Sequence, residues 1–163
     1  MTTAIEAGSA APGFTAPTND GGSLSLDSLR GKAVVLYFYP RDDTPGCTRE
    51  AQEFTEALPE FAAAGAEIVG VSKDTAAKHD KFRAKYGLPF TLVSDSESDI
   101  CERYGVWVEK KNYGKTYMGI ERATFLIDAD GTVSKVWRKV KVAGHVEKVL
   151  EAVRALNEAG GIT

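Results

Sequence analysis

A continuous apolar run, Ala33 to Tyr39, and a second, largely apolar stretch, Glu67 to Ser72, flank a segment with helical periodicity. Runs of this length and β-branched content read as strands covered on both faces, which is the situation of strands inside a parallel sheet. Between them, Ala51, Phe54, Ala57 and Leu58 recur at three- and four-residue spacing, so 33–72 reads as a strand–helix–strand unit. Such a crossover is parallel and right-handed in nearly all cases. This unit restricts the chain to an α/β fold with helices packed on a central sheet.

The rest of the chain extends that unit. Residues 1–12 are small and polar and are expected to be loosely held, as are residues 158–163 around Gly160-Gly161. Phe14 to Ala16 and Ser23 to Leu26 read as hairpin partners around Asn19-Asp20-Gly21-Gly22. A helical turn begins at Asp27 or Ser28 and ends at Gly31. Pro59 should break or restart the first helix, with Gly65 closing it. A second helix, 75–86, is capped by Asp74 or Thr75 and stopped by Gly87; a short strand covers 90–93 and a short helix 96–104. Residues 106–121 are mixed and charged, a long loop with at most a hairpin piece. Strands 122–127 and 132–140 pair around Asp128-Ala129-Asp130-Gly131. An amphipathic helix, 143–157, closes the chain with Val146, Val149, Leu150, Val153 and Leu156 inward. With 163 residues and no repeat or linker, 1–163 reads as one domain. The element order gives a central mixed sheet with helices on both faces, a thioredoxin-like fold with an N-terminal hairpin and an inserted unit.

Composition excludes several function classes. Net charge is −3 with no basic run, so nucleic acid is not an expected partner. No apolar stretch approaches the roughly 20 residues of a membrane span. Residues 1–29 contain neither Lys nor Arg and no apolar block, unlike a secretory signal, so a cytoplasmic location is expected. The two histidines, His79 and His145, stand far from both cysteines, so no zinc-type spacing exists and no metal is expected. His79 lies in a charged stretch, Lys78 to Lys81, and reads as solvated; neither histidine is assigned a role.

Chemistry concentrates where the first apolar strand ends. Tyr37-Phe38-Tyr39-Pro40-Arg41-Asp42-Asp43-Thr44-Pro45-Gly46-Cys47-Thr48-Arg49-Glu50 runs from strand through turn into the first helical turn. A thiol at a helix N-terminus faces unpaired backbone N–H groups and the positive end of the macrodipole, which favours thiolate. A free thiol, with pKa about 8.5, is only a few per cent ionised at pH 7. Bringing a thiol's pKa to about 6 requires about 3.4 kcal/mol, whereas a helix terminus supplies about 0.3–1, or about 2 when partly buried. A cation from elsewhere in the chain is therefore needed. Taken alone, Cys47 could equally be a buried small hydrophobe. The surroundings argue for reactivity: Thr44 stands three residues before it, Pro40 and Pro45 stiffen the turn, and Gly46 permits close approach. Tyr37, Tyr39, Phe90 and Trp107 are candidates to line a pocket there, although core is the more ordinary place for most of them.

Pro40, Thr44 and Cys47 form the spacing Pro-x-x-x-Thr-x-x-Cys that marks peroxiredoxins. The surrounding stretch resembles the peroxiredoxin Q branch, also called bacterioferritin comigratory proteins. Gly13-Phe14-Thr15, Leu29-Arg30-Gly31-Lys32, Val69-Gly70-Val71-Ser72, Tyr104-Gly105-Val106-Trp107 and Arg122-Ala123-Thr124-Phe125-Leu126-Ile127-Asp128 extend the resemblance over nearly the whole chain. It implies a thiol peroxidase in which the Cys47 thiolate attacks a hydroperoxide and becomes a sulfenic acid, without metal or organic cofactor. It also implies that Arg122 is the missing cation, that Thr44 bonds sulfur or peroxide oxygen, and that Pro40 shields the site. Glu50, one helical turn after Cys47, is expected to orient Arg122; it could equally be a first-turn acid favourable to the dipole.

The pattern departs from the branch in one respect. Many members carry a second, resolving cysteine five residues after the first, where this chain has Gln52. Others carry it in the following helix, and 75–86 contains none. Cys101 is the other thiol, between Ile100 and Glu102, and reads as core rather than resolving. A one-cysteine mechanism is expected, with thioredoxin, a glutaredoxin or glutathione as external reductant and a monomer as the working unit. A peroxide sensor using the same cysteine, or an interaction module with an inert one, are the competing readings.

Overall fold

The computed structural model describes residues 5–19 and 21–159. A short antiparallel pair opens the chain, β1 (Thr15–Pro17) with β2 (Ser23–Ser25), followed by a 3-10 turn at Leu26–Leu29. Then come β3 (Ala33–Phe38), α1 (Pro45–Ala63), β4 (Ala66–Ser72), α2 (Ala76–Tyr86), β5 (Thr91–Ser94) and the short α3 (Ile100–Arg103). The chain finishes with β6 (Trp107–Asn112), β7 (Lys115–Ile120), β8 (Ala123–Ile127), β9 (Val133–Trp137) and α4 (His145–Glu158).

The central sheet has five strands in the order β5-β4-β3-β8-β9. β3, β4 and β5 are mutually parallel, while β8 runs antiparallel to β3 and to β9. The strand–helix–strand unit, its parallel register and the thioredoxin-like arrangement therefore agree with the sequence pattern. Alternation along β3 sends Val35 and Tyr37 to one face and Val34, Leu36 and Phe38 to the other. The first face packs on α1, α2 and α4 through Phe54, Phe61, Phe82 and Val149. The second packs on α3 and the N-terminal segment through Ile100, Tyr104 and Phe14. Each fully buried aliphatic or aromatic side chain contributes about 1.5–3 kcal/mol, and β3, buried along its whole length, is the seam joining the two cores. Gly70 on β4 has a local reason: a Cβ there would lie 2.9 Å from Leu92 and 3.0 Å from the Tyr37 ring.

Five expectations change. Helix α1 continues through Pro59 instead of breaking there. Pro59 is exposed, and the buried neighbours Phe54 and Phe61 hold the helix on the core across the missing hydrogen bond. Helix α3 is shorter than 96–104 because Asp95 ends the preceding strand and caps it, accepting from the N–H groups of Ile100 (3.0 Å) and Cys101 (2.8 Å). Residues 106–121 form a complete hairpin, β6–β7, closed by Tyr113 and Gly114, both with positive φ as a two-residue hairpin turn requires. The N-terminal segment is tied down: Gly8 N–H donates to Val133, and Ala11 N–H to Gly131. At the other end Glu158 is still the last residue of α4 and Ala159 N–H donates to the Ala155 carbonyl, while residues 1–4 and 160–163 lie outside the described residues. Finally, His79 is fully buried rather than solvated.

Candidate active site

The turn from Tyr39 to Thr44 brings the chain off the C-terminal end of β3 and into α1. Thr44 is the N-cap residue with extended backbone angles, and Pro45 occupies the first helical position, where its lack of an N–H costs nothing. The first intrahelical bond runs from Thr48 N–H to the Thr44 carbonyl, 2.8 Å. The N–H groups of Gly46 and Cys47 therefore lie among the unsatisfied donors of the helix end. Cys47 sits in the third helical position, 2 % exposed.

Arg122 reaches this thiol from the neighbouring strand. Ala123, the next residue, pairs with Phe38 at the end of β3, and the Arg122 carbonyl accepts from Val140 N–H, so its backbone is pinned. Its guanidinium spans two partners: Nη2 donates to Cys47 Sγ at 3.4 Å and Nη1 to Glu50 Oε1 at 2.6 Å. The approach crosses the first turn of α1 so closely that a Cβ on Gly46 would lie 3.1 Å from Nη2. Glycine is thus favoured here by the closeness of the arginine rather than by a backbone angle, since a larger residue would push the guanidinium by a few tenths of an ångström. Burial works against the charge on Arg122, but Glu50 and Cys47 outweigh it and hold the guanidinium above its ordinary value.

The remaining sequence candidates fall around this core. The Thr44 hydroxyl donates to the Arg41 carbonyl (2.9 Å) rather than to sulfur, which leaves its lone pairs free to accept from a substrate O–H. Pro40 and Thr44 line a groove of about 730 Å³ whose other walls include Trp107, Lys110 and Met118. Tyr37, Tyr39 and Phe90 are core residues, so of the four candidate aromatics Trp107 is the one that faces that groove. Gln52 is exposed on α1. Cys101 packs in the core on the opposite face of the sheet from Cys47, and burial pushes its thiol far above the usual range.

The sequence reading missed two features. Lys110 stands at the groove with its charge disfavoured, first by burial and then by Arg122. His79 joins Asp42 of the turn at 2.6 Å, and both are buried. The three-residue spacing from His79 to the core residue Phe82 was the available signal that His79 faces inward.

Two buried groups beside Arg122 make opposed contributions to stability. Burial pushes the Glu50 carboxyl from 4.5 up to about 7, with Arg122 pulling back. The folded state then holds that proton more tightly, so this contribution is full below 4.5 and is lost as pH rises through about 7. His145, which shares a 2.8 Å hydrogen bond with Thr124, is pushed from 6.5 down to about 4 by burial and then by Arg122. Its contribution is full above 6.5 and is lost as pH falls through about 4. In urea unfolding across this range, Glu50→Gln should steepen the loss of stability toward acid. His145→Gln should instead leave stability declining as pH rises toward 7. Equal pH slopes in the wild type and both variants would contradict the assignment.

Residues 7–136 match the model of the AhpC/TSA family. The chain belongs to the AhpC/TSA family. Within it, the chain is similar to Peroxiredoxin Bcp of Bacillus subtilis, 48 % identical over 94 % of this chain and 98 % of that protein. Among solved structures, Xanthomonas campestris Peroxiredoxin Q superposes with a TM-score of 0.85 at 47 % identity, covering 88 % of this chain and 91 % of the other. A Xylella fastidiosa PrxQ structure gives 0.89 at 38 % identity, covering 94 % and 98 %. These relatives place this member of the AhpC/TSA family in the peroxiredoxin Q branch and confirm the thioredoxin-like fold.

Proposed function

We propose that this peroxiredoxin, a thiol-dependent peroxidase, reduces hydrogen peroxide and organic hydroperoxides through a single working cysteine, Cys47. The observation that carries the reading is the Arg122 guanidinium, bonded at once to Cys47 Sγ (3.4 Å) and to the buried Glu50 (2.6 Å). The cation supplies what the helix terminus alone cannot, and Glu50 fixes its direction. A solved Xanthomonas campestris bacterioferritin comigratory protein, 46 % identical, was studied for alkyl peroxide reduction, which supports organic hydroperoxides as substrates.

In this mechanism the Cys47 thiolate attacks the terminal peroxide oxygen. The S–O bond forms as the O–O bond breaks, and the leaving alkoxide or hydroxide takes up a proton to become alcohol or water. Cys47 is left as a sulfenic acid. Thr44 accepts from the peroxide O–H, while Arg122 and the N–H groups of Gly46 and Cys47 stabilise charge spreading over both oxygens. Pro40 covers the thiol against water. An external thiol then forms a mixed disulfide and expels water; a second thiol releases Cys47 and leaves with the first as a disulfide. Thioredoxin, a glutaredoxin or glutathione fits that role. The opposite faces occupied by Cys47 and Cys101 support the one-cysteine form. The working unit is a single domain acting as a monomer in the cytoplasm. Among the described residues no helix is long and apolar enough to cross a membrane.

Intact mass after slightly less than one equivalent of peroxide tests this directly. A gain of one oxygen located on Cys47 is expected. No gain at all overturns the peroxidase reading. Loss of two hydrogens with a Cys47–Cys101 crosslink, or a disulfide-linked dimer, overturns the one-cysteine form.

A further inference from the structure

The turn that carries Pro40 and Thr44 is held from the side by α2. Asp42, in the middle of the turn, accepts from Tyr39 Oη at 2.5 Å through Oδ1 and meets His79 Nδ1 at 2.6 Å through Oδ2. His79 is fully buried, and its other nitrogen, Nε2, meets the Val93 carbonyl at 2.9 Å. A carbonyl can only accept, so Nε2 carries a hydrogen. The short Nδ1–Oδ2 contact needs a proton of its own. The imidazole therefore bridges β5 to the turn through two donated or shared protons. The backbone N–H of Asp42 is also taken, by Asp74 Oδ2 at 2.8 Å, which in turn accepts from Ser72 Oγ at 2.7 Å.

The next residue is fixed from the same helix. Asp43 has φ +60°, a left-handed conformation that a non-glycine residue adopts at some cost. Its carboxylate accepts from Tyr86 Oη at 2.6 Å and Lys85 Nζ at 2.9 Å, both on α2. Thr44 follows at once and begins the helix that bears Cys47. A buried polar pair is a poor source of stability compared with apolar packing of the same volume. What the pair provides instead is direction.

We propose that His79 and Asp42 are a positioning pair: they set the turn so that Pro40 and Thr44 stand over the thiol in the geometry that peroxide attack requires. The proposal rests on the peroxidase reading of Cys47. Neither residue touches the reacting atoms; they act through the turn. Attack along the O–O axis needs the acceptor at Thr44 in place, whereas alkylation of the thiol by iodoacetamide does not. The two reactions therefore separate positioning from general damage.

The test compares His79→Leu, which removes both imidazole bonds, with His79→Asn, whose amide nitrogen lies near the place of Nδ1 and still donates to Asp42. Rapid-mixing rates of Cys47 oxidation by hydrogen peroxide are read beside iodoacetamide alkylation rates and urea midpoints. His79→Leu should lower the peroxide rate by about tenfold to a hundredfold, the scale of a misplacement of about 1 Å. Its alkylation rate should fall far less, and His79→Asn should recover most of the peroxide rate. If His79→Leu does not fold, Asp42→Ala against Asp42→Asn carries the same comparison, because the asparagine keeps bonds to both Tyr39 and His79. Equal peroxide rates in the wild type and the disrupting variant, parallel falls in both reactions, or no rescue by the conservative variant would overturn the pair. A wild-type protein that gains no oxygen on Cys47 would overturn the peroxidase reading instead.

Discussion

Replacing Arg122 with leucine is expected to lower the second-order rate constant for peroxide reduction by about 10²–10³-fold, the usual cost of removing a donor aimed at developing charge. One arm of the guanidinium is bonded to the Cys47 sulfur, and the other is committed to a carboxylate with no exposed surface. Its loss removes the cation beside the thiolate and leaves Glu50 buried without a counter-charge. Lysine should not restore the rate. A single ammonium is a point charge and cannot reproduce a planar fork that meets two partners in fixed directions. Adding Glu50→Gln to Arg122→Leu should relieve the stability cost of the orphaned carboxylate yet leave the rate low, which separates the two consequences. An Arg122→Leu protein that keeps its peroxide rate would show that sulfur is activated by the helix terminus alone.

That arginine was legible in the sequence through the resemblance to the peroxiredoxin Q branch, and topology explains why it stands where it does. A thiol at a strand–helix junction needs a cation, and a strand that pairs antiparallel to β3 starts where β3 ends. The register bears this out, with Ala123 opposite Phe38. Elements marked by burial were legible from their own pattern: β3 and β4 are near-continuous apolar stretches because both faces are covered, and α4 is periodic because one face packs on a core. The β6–β7 hairpin did not, since Glu109, Lys111, Asn112 and most of β7 face solvent and no alternation is imposed on them. Its strongest marker was the pair Tyr113-Gly114, and a tyrosine with positive φ is not what a turn pattern leads one to expect. His79 escaped for the opposite reason. Its immediate neighbours Lys78, Asp80 and Lys81 are charged and mask a buried position, whose partner Asp42 is distant in sequence. Thr44 was legible as a hydroxyl three residues before the thiol, expected to bond sulfur or peroxide oxygen, but the direction of that hydroxyl depends on the Arg41 carbonyl and on a backbone fold no sequence rule specifies.

Truncating Phe54 to alanine is expected to cost about 3–5 kcal/mol of folding stability, among the largest single-residue effects available to this chain. Phe54 is fully buried on α1, one helical turn after Glu50. Its ring stacks on Tyr37 at 4.7 Å and meets Phe61 at 5.9 Å and His145 edge-on at 6.4 Å. It therefore joins α1, the central strand and the start of α4 at one point. Removing it leaves a void among large, rigid rings that cannot easily collapse, so the cavity cost adds to the lost burial. Leucine fills part of that volume and should cost markedly less. Denaturant unfolding gives the number, and a loss below about 1 kcal/mol, the size of an ordinary substitution, would show that the site relaxes around the gap. Activity offers a second measure of the same geometry. Arg122 bonds both the sulfur and Glu50 without Phe54, so the folded fraction of the alanine protein should still oxidise Cys47 in conditions where the core holds. A folded variant that failed to do so would mean that the aromatic cluster fixes the angle of α1, and with it the line from the thiol to the guanidinium.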